Sequence, residues 1–476
     1  MKEYDWIVVG SGSAMIVVEA IVQIDSKAKI AVIDKDDPGG ICLTRGCIPS
    51  KMLLYPAELL ALIGKANDFG IEVTINKIDF SKIMERMREH VQSEVEKIRY
   101  ALTHSENIDY YPMKAEFIAP YTMSVGGEII KAKKIILCTG SKPLLPSIEG
   151  LDKVPYYTSD TILKIRKLPK SLAIIGGGYI AAEYGFFFST MGTNVTIIGR
   201  NPQFLPEEEP EISALAKREL QKSMKILTNH EVKSVEEVDS EMKKLIAINR
   251  ENGRKVEVMA EEILVASGRA SNTDILKPER GNIKVDNQGW IEVNEYLETS
   301  QSNVWALGDA NGKYMFKHKA NYEALVVYYN AVLNRRVKVD YHAIPHAVFI
   351  YPEIASVGLR EREAIEKYGE DNILIGMERF ENTAKGRVMN LKDYFVKIIV
   401  EKNTLKILGA HIIGPYASIL IQEIVNLMYT PDQSAEPIIN GMHIHPSLSE
   451  VVERAFLSLM PLEIYHHVLE HHYQLK

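Results

Sequence analysis

Apolar residues recur along this chain in two copies of one order of elements. The first copy has a β-branched strand (WIVVG, 6–10), a glycine turn (GSGSA), an apolar helix (MIVVEAIVQ) and a second strand (KIAVID). The second copy begins at Ser171 and runs SLAIIGGGYIAAEYGFFFSTMGTNVTIIGR. Short apolar strands alternating with helices are typical of parallel sheets covered by helices. The pattern therefore predicts two Rossmann-type nucleotide-binding domains.

The rest of the chain has a different pattern. Residues 51–103 indicate helix, strand-like pieces follow at 114–133, and IILCTGSKP closes that region. Residues 395–414 predict a hairpin of two long strands, followed by the helical segments SILIQEIVNLMYT and LSEVVERAFLSLM. We therefore predict an α/β protein with two Rossmann-type domains and a C-terminal α+β domain. The predicted limits are 1–147, 148–271, 272–343 (a return to the first domain) and 344–476.

Length, charge and cysteine content narrow the class of protein. A chain of 476 residues is too long for a single core. The net charge of −7 and the absence of a lysine or arginine run argue against nucleic acid or an anionic membrane surface as the main partner. No apolar run approaches the length of a membrane span, and no signal peptide precedes the first strand. Only three cysteines are present, which fits a reducing cytoplasm.

The two glycine turns carry the elements of a dinucleotide site. In the first, Gly10 and Gly12 let backbone N–H groups approach a pyrophosphate at a helix N-terminus, although Met15 stands where a third glycine is usual. Asp34 ends the second strand, where a carboxylate can accept hydrogen bonds from ribose hydroxyls. The second turn contains Gly176, Gly178 and Ala181.

The position that would contact the ribose differs in the second unit. Gly199 cannot hold a 2′-hydroxyl, and the guanidinium of Arg200 beside it suits a 2′-phosphate. These residues predict a preference for NADP(H), with a solvated loop arginine as the alternative.

Two of the three cysteines lie five apart in a glycine-rich segment, GGICLTRGCIPSK (39–51). A zinc site would need a second pair, and only Cys138 remains. A disulfide needs Cα atoms within about 7 Å, and residues i and i+5 of a regular helix are separated by a rise of roughly 7.5 Å. The loop must therefore be distorted, with a helix starting near Ser50 whose positive end favours a thiolate. We interpret Cys42 and Cys47 as a redox-active disulfide; two reduced core cysteines are the alternative.

The segment 39–51 resembles the redox-active segment of the class I pyridine nucleotide–disulfide oxidoreductases. Six more stretches resemble the family in order: VVGSGSA, IILCTGSKP, GGGYIAAEYG, TSQSNVWALGDANG, IPHAVFIYPEIASVG and HIHPSLSE. This resemblance implies FAD and NAD(P)(H) as cofactors and a homodimer joined through the C-terminal domain. It also makes the first domain the FAD-binding one and the second the NAD(P)-binding one.

The resemblance implies roles for six catalytic residues. Cys47 would be the thiolate next to the flavin, and Cys42 the thiol that exchanges with substrate. His445 would be the acid–base group acting on the cysteine pair of the other subunit, with Glu450 orienting it, since exchange needs a thiolate and a proton for the leaving sulfur. Lys51 would lie beside the flavin, paired with Glu183.

Further cofactor contacts follow from the same motifs. Asp309 would bind the ribityl chain of FAD and Tyr179 would cover the flavin. The remaining implied contacts are, for FAD, Ala115, Thr139, Gly140, Ser141, Met315 and His318, and, for the nicotinamide cofactor, Val232 and Gly268. No metal site is predicted.

Several residues depart from the family pattern and leave the substrate open. Thr44-Arg45 replaces the usual Asn-Val between the cysteines; Arg45 could lower a thiol pKa or attract an anion, but we expect a solvated side chain. CIPSK and HPSLSE resemble dihydrolipoamide dehydrogenase, our first activity, acting on a lipoyl-bearing substrate. Gly199-Arg200 resembles NADPH-dependent reductases of low-mass thiol disulfides, such as mycothione or glutathione reductase, the alternative. A third and more remote alternative is that the protein is a non-catalytic, flavin-binding regulatory or structural subunit.

Overall fold

The computed structural model describes residues 1–239 and 241–472. The first segment of the chain, from β1 to β7, contains both predicted redox cysteines and most of one large sheet. The elements are β1 (Lys2–Val9), α1 (Met15–Ile24), β2 (Ile30–Ile33), α2 (Gly40–Thr44), α3 (Cys47–Ile63), α4 (Phe80–Thr103), β3 (Ile108–Tyr111), β4 (Ala115–Ala119), β5 (Thr122–Val125), β6 (Glu128–Leu137) and β7 (Ser141–Pro143).

The second segment repeats the strand–turn–helix unit and adds an antiparallel sheet. Its elements are β8 (Tyr157–Thr158), β9 (Ser171–Ile175), α5 (Tyr179–Thr190), β10 (Asn194–Ile198), α6 (Pro210–Leu220), β11 (Lys225–Leu227), β12 (His230–Glu237), β13 (Lys243–Asn249), β14 (Lys255–Ala260), β15 (Glu262–Val265) and β16 (Arg269–Ser271). β17 (Val304–Ala306) and α7 (Lys317–Val327) then return to the first sheet.

The last segment is built around one antiparallel sheet. Its elements are β18 (His346–Val348), β19 (Ile354–Gly358), α8 (Glu361–Tyr368), β20 (Ile373–Arg379), α9 (Ala384–Val388), β21 (Phe395–Glu401), β22 (Ile407–Ile413), α10 (Ala417–Met428), α11 (Glu436–Asn440), α12 (Ser449–Leu457), β23 (Met460–Pro461) and α13 (Leu462–His472).

Two parallel sheets confirm the predicted Rossmann-type units. In the first, β3-β2-β1-β6 run parallel, β17 also pairs in parallel with β6, and β5 and β4 extend the sheet antiparallel. In the second, β11-β10-β9-β15-β8 are all parallel. Helices cover one face of each sheet, and the other face packs on further strands and loops, which for the second sheet are β12–β14. Strand residues such as Val8 and Ile174 are therefore fully buried. Ligands bind such sheets beyond the carboxyl ends of the strands, which is where both glycine turns lie.

The C-terminal sheet has the order β18-β19-β22-β21-β20-β23. Its centre is the hairpin of β21 and β22, which pair antiparallel and confirm the predicted hairpin. α10 and α12 pack on this sheet through buried residues such as Ile424 and Phe456. The mixed helix–sheet composition agrees with the predicted α+β domain, while the four domain limits remain a prediction.

A buried lysine joins three regions of the fold. Lys397 on β21 is fully buried, and its Nζ lies 3.2 Å from Glu209, 3.0 Å from Glu211 and 2.6 Å from Glu361. Tyr465 on α13 donates a hydrogen bond to Glu211 at 3.1 Å and places its ring 5.2 Å from Nζ. We call these five residues the Lys397 cluster. It ties the second segment, through the start of α6, to the C-terminal sheet and α13.

One helical stretch, residues 40–63, is long and apolar enough to cross a membrane on length and composition alone. It contains both cysteines of the redox segment, and Leu53, Leu54 and Ala57 within it belong to the main hydrophobic core. A core helix of a globular protein has the same composition, so the stretch is weak evidence for a membrane.

Candidate active site: two cofactor cavities and a cysteine pair

A cavity of about 1010 Å³ opens at the carboxyl ends of β1 and β2. Gly10 has a φ of 102°, and a Cβ there would overlap the carbonyl oxygen of Cys138, so only glycine fits this turn. Asp34 accepts hydrogen bonds from the backbone N–H (2.8 Å) and hydroxyl (2.5 Å) of Ser11, which fixes its carboxylate at the cavity wall. The cavity is lined by Gly10, Gly12, Asp34, Cys42, Cys47, Lys51, Ala115, Thr139, Gly140, Tyr179, Glu183, Asp309, Met315 and His318.

The cavity fits FAD in shape and in chemistry. The glycine turn before α1 lines it from Gly10 to Ser13, which places a pyrophosphate at a helix N-terminus. The hydroxyl of Thr139 is buried without a hydrogen-bond partner among the described residues, so a polar group is available on this wall. Asp309 lies at the other end and accepts a hydrogen bond from Ser141 Oγ at 2.5 Å.

The redox segment forms two helices rather than one. α2 ends at Thr44, and α3 begins at Cys47, so the expectation of a helix start near Ser50 is wrong by three residues. Gly46 precedes α3 and offers no capping side chain, which removes the usual sequence signal for a helix start. Cys47 consequently lies at the positive end of α3, and this position favours its thiolate.

The two thiols interact as a donor and an acceptor. A hydrogen bond from the Cys42 thiol and, secondarily, the nearby charge of Lys51 outweigh burial and lower the pKa of Cys47 to about 7. The same hydrogen bond, together with burial, raises the pKa of Cys42. In the reduced pair Cys47 therefore carries the thiolate and Cys42 carries the proton.

Lys51 and Glu183 lie next to Cys47. Lys51 Nζ donates to both carboxylate oxygens of Glu183, at 2.9 and 2.8 Å, and lies 4.7 Å from the ring centre of Phe349. Glu183 is buried and also accepts from the backbone N–H of Phe349 at 3.1 Å. The ammonium is thus held in a fixed place on the wall of the cavity, close to the thiolate.

The Cys47 thiolate gives a pH-dependent prediction. Because its pKa is lowered to about 7, the thiolate is populated above that pH and is lost as the pH falls through it. We expect Lys51→Met to raise this midpoint by about one pH unit, since an opposite charge is removed. The midpoint is measured in the two-electron-reduced protein, from the long-wavelength absorbance that a thiolate beside the flavin produces. Lys82→Met, an exposed change on α4, serves as the control; an unchanged midpoint in Lys51→Met would contradict the assignment.

A second cavity, of about 1230 Å³, lies at the carboxyl end of the second parallel sheet. Of the residues assigned to the nicotinamide cofactor, Gly176, Gly178, Arg200, Val232 and Gly268 line it. Tyr179 and Met315 line both cavities, so they form part of the wall between them. Ser141 and Ala181 are not among the lining residues of either cavity: Ser141 contacts Asp309, and Ala181 is fully buried in α5.

Arg45 is not the solvated residue that we expected. Its Nε donates to Asp160 at 3.0 Å and its terminal nitrogen donates to Asp36 at 2.7 Å. Asp160 also lies 3.5 Å from Arg269, which donates to Ser141 Oγ at 2.6 Å. Arg45 therefore fastens the loop between the two cysteines to the segments that carry Asp36 and Asp160. Asp160 is distant in sequence, so this role could not be predicted from the loop alone.

His445 lies away from the cysteines of its own chain. Its Nδ1 is 2.8 Å from Glu450 Oε1, and its side chain is 68% exposed. It does not line the cavity that contains Cys42 and Cys47. The structure thus brings His445 and Glu450 together, but within one subunit it does not bring them to the cysteine pair.

A second histidine–carboxylate pair was missed in the sequence. His346 lines both cavities, and its Nε2 lies 2.7 Å from Glu208, which also accepts a hydrogen bond from Ser356 at 2.7 Å. Burial opposes the charge on this imidazole, but Glu208 outweighs it and raises the pKa of His346. Its ring stacks on Phe316 with 5.7 Å between centroids. No local pattern marks this pair, because its members lie 138 residues apart.

Comparison with known proteins identifies the family. Residues 4–324 match the model of the pyridine nucleotide-disulphide oxidoreductases, and residues 344–456 match the dimerisation domain of the same family. The chain belongs to the pyridine nucleotide-disulphide oxidoreductase family. Members are FAD-dependent enzymes that use NAD(P)H as the electron donor, which confirms the two cofactors that the sequence predicted. The region after residue 456, which includes α13, lies outside both matches.

Relatives of this oxidoreductase differ in their named substrates. Mycothione reductase of Mycobacterium tuberculosis (strain ATCC 25618 / H37Rv) is 32% identical, covering 96% of this chain and 100% of that protein. Dihydrolipoyl dehydrogenase of Synechocystis sp. (strain ATCC 27184 / PCC 6803 / Kazusa) is 33% identical, covering 95% and 98%. Among solved structures, the Cu(II) complex of the HOCl-induced flavoprotein disulfide reductase RclA from Escherichia coli superimposes with a TM-score of 0.84 at 26% identity, covering 96% and 99%.

Proposed function

We propose that this oxidoreductase is a cytoplasmic homodimer that uses NADPH to reduce a low-mass disulfide. The observation that carries the proposal is the chemistry around Gly199 and Arg200, at the end of β10. A small-thiol substrate is supported by the similarity to mycothione reductase over the whole chain. The reducing cytoplasm is supported by the low cysteine content.

A side chain at residue 199, such as the carboxylate that would bind a free ribose, would be crowded by the backbone of Gly177. A Cβ on Gly199 would lie 3.2 Å from the Cα of Gly177, which is closer than most such contacts. Arg200 follows, is exposed, and lines the nicotinamide-cofactor cavity. Its guanidinium makes no ion pair with any described residue, and Arg250 donates to its backbone oxygen at 3.0 Å, which adds a second positive charge. Glu231 lies near both guanidiniums, but it forms its ion pair with Lys233 at 2.7 Å. The local charge therefore stays positive, which favours a 2′-phosphate.

The cysteine pair supplies the exchange chemistry. When bound, the flavin relays the electron pair of NADPH to the Cys42–Cys47 disulfide. Cys42 gives its proton to the acid–base residue His445, and the resulting thiolate attacks one sulfur of the substrate disulfide to form a mixed disulfide. The departing sulfur then takes that proton from His445. Cys47 then attacks Cys42, releases the second substrate thiol and restores the disulfide. The sum is NADPH, a proton and one disulfide giving NADP⁺ and two thiols.

His445 supplies the proton for the departing sulfur, and it does so from the partner subunit. Its exposure, its contact with Glu450 and its distance from the cysteines of its own chain all favour a site completed by a second copy. The carboxylate on Nδ1 fixes the orientation of the ring and leaves Nε2 directed away from Glu450.

Dihydrolipoyl dehydrogenase is the second candidate function, and it was the first activity that the sequence indicated. The segments CIPSK and HPSLSE favour it, as does the similarity to the Synechocystis enzyme. The reaction would then run from a lipoyl dithiol towards the nicotinamide cofactor through the same cysteines.

Arg200→Gln separates the two candidates. We expect the KM for NADPH to rise about tenfold and the KM for NADH to change by less than twofold, because a charged hydrogen bond to the 2′-phosphate is lost. Steady-state kinetics with each cofactor measure both constants. Arg166→Gln, an exposed arginine of the same segment outside the cavity, is the matched control.

The opposite cofactor preference would overturn the proposal. If the wild-type protein reduces its flavin faster with NADH than with NADPH, Arg200 does not bind a phosphate. Oxidised lipoamide is then the substrate to assay, and dihydrolipoyl dehydrogenase becomes the better description.

A further inference from the structure

The catalytic histidine is carried by a loop that is largely exposed. We call residues 441–448, between α11 and α12, the histidine loop. Met442 and Ile444 are almost fully exposed, and the side chain of His445 is 68% exposed. His443, between them, is the exception, since its side chain is only 11% exposed. The loop therefore inserts the His443 side chain into the protein two residues before the acid–base group, and it ends at Leu448 in the hydrophobic core.

His443 lies between carboxylates from two helices. Its Nε2 is 3.6 Å from Glu423 on α10, and its Nδ1 is 3.6 Å from Glu453 on α12. Nδ1 of His443 and Oε1 of Glu423 are buried without a hydrogen-bond partner among the described residues. The contact is therefore electrostatic, with an imidazole between two negative charges.

The helix that holds His445 through Glu450 also faces His443 through Glu453. Glu450 and Glu453 are three apart on α12, so they lie on the same face of the helix. Glu450 contacts His445 and Glu453 faces His443, two residues earlier. One helix thus holds the loop at two successive histidines, and α10 holds the first of them from the other side.

This arrangement matters because an acid–base group must lie within hydrogen-bond reach of the proton that it moves. Among the described residues, the side chain of His445 makes one hydrogen bond, with Glu450, which also accepts from the backbone N–H of Ser447 at 3.0 Å. A displacement of about 1 Å can cost up to about 100-fold in rate. A second anchor two residues away would suppress this motion.

We propose that His443, held between Glu423 and Glu453, is a positioning residue that places His445 against the cysteine pair of the partner subunit. The inference rests on the acid–base role of His445 in the proposed function. It adds that the first histidine of the HIHPSLSE segment acts through the second, with Glu423 and Glu453 as its partners.

The test measures the reactivity of Cys42, because this readout does not depend on knowing the substrate. The NADPH-reduced holoenzyme is treated with iodoacetamide at neutral pH, and alkylation of the Cys42 peptide is followed by mass spectrometry. The thiolate is the reactive form, so the rate reports how well the partner's histidine stabilises it. We expect His443→Leu to slow this alkylation about tenfold, while the NADPH-driven growth of long-wavelength flavin absorbance is unchanged.

Three further variants separate positioning from general damage. His443→Gln, which can still donate to a carboxylate, is expected to recover most of the rate. Glu423→Gln keeps the shape of the side chain beside His443 but removes its charge. If His443→Leu lowers the yield of folded dimer, the alkylation rate is measured in Glu423→Gln instead, where the same slowing is expected. His90→Leu, an exposed histidine on α4, is the control and is expected to alkylate at the wild-type rate.

His445→Gln distinguishes failure of this inference from failure of the proposed function. If His445→Gln slows alkylation and His443→Leu stays within twofold of wild type, the positioning role is wrong and the acid–base role stands. If His445→Gln leaves the rate unchanged, the acid–base role fails and the positioning role fails with it.

Discussion

Cys42→Ser is expected to lower disulfide reduction by at least about 1,000-fold, the scale of effect seen when a covalent nucleophile is removed. The serine hydroxyl cannot exchange with a disulfide, because the exchange needs a thiolate. Cys47 remains, and its thiolate still lies beside Lys51 and Glu183. The long-wavelength absorbance should therefore persist in this variant while turnover disappears. Steady-state assays and an anaerobic spectrum measure the two effects on one preparation.

Cys47→Ser and Cys138→Ser complete this experiment. Cys47→Ser should lose both turnover and the long-wavelength absorbance, because the hydroxyl does not ionise near neutrality. Cys138 also lines the flavin cavity, but burial raises its pKa to about 11, so its removal should leave turnover within about twofold. Wild-type turnover in Cys42→Ser would instead support the non-catalytic, flavin-binding alternative.

Lys397→Met is expected to cost about 3–5 kcal/mol of stability, because it leaves the carboxylates of the Lys397 cluster buried without their cation. For a domain of this size the loss corresponds to a thermal midpoint lower by roughly 10 °C. The midpoint is measured on the holoenzyme at fixed protein and FAD concentrations, since bound cofactor raises it. Lys392→Met, an exposed lysine just before the same strand, is the matched control.

The pH dependence of this deficit has a definite sign. Burial would raise the pKa of Glu211, but Lys397 outweighs it, so the pKa lies below its ordinary value of 4.5. The ion pair therefore stabilises the protein above about pH 4.5, and this contribution is lost as the pH falls through the lowered pKa. The difference between wild type and Lys397→Met should consequently shrink under acidic conditions. A midpoint within 2 °C of wild type at neutral pH would show that Lys397 does not hold the cluster.

Local patterns were sufficient for the parts of the fold that repeat along the chain. The run before Gly10, the glycine turn and the apolar stretch after it specify β1, the cofactor turn and α1, because each element has its own periodicity. The hairpin of β21 and β22 was predictable for the same reason. The start of α3 was not, since Gly46 gives no capping signal before Cys47.

The parts that escaped prediction are contacts between distant residues. Arg45 looks like a solvated loop arginine until Asp36 and Asp160 are seen beside it. Nothing in the sequence distinguishes His346 from the other histidines of the chain, which has 13; only the structure shows its contact with Glu208. Each of these pairs depends on how separate segments meet, and hydrophobic periodicity within one segment carries no information about that.

The Lys397 cluster has a consequence for how this protein varies among its relatives. The cluster draws on four separate stretches of the chain: Glu209 with Glu211, Glu361, Lys397, and Tyr465, which lies beyond the limit of the shared dimerisation domain. A relative without α13 lacks the hydrogen bond of Tyr465 to Glu211, and Lys397 alone then partners the buried glutamates. These five positions should therefore be gained and lost together, and a chimera that exchanges only the C-terminal region between relatives should be less stable than either parent.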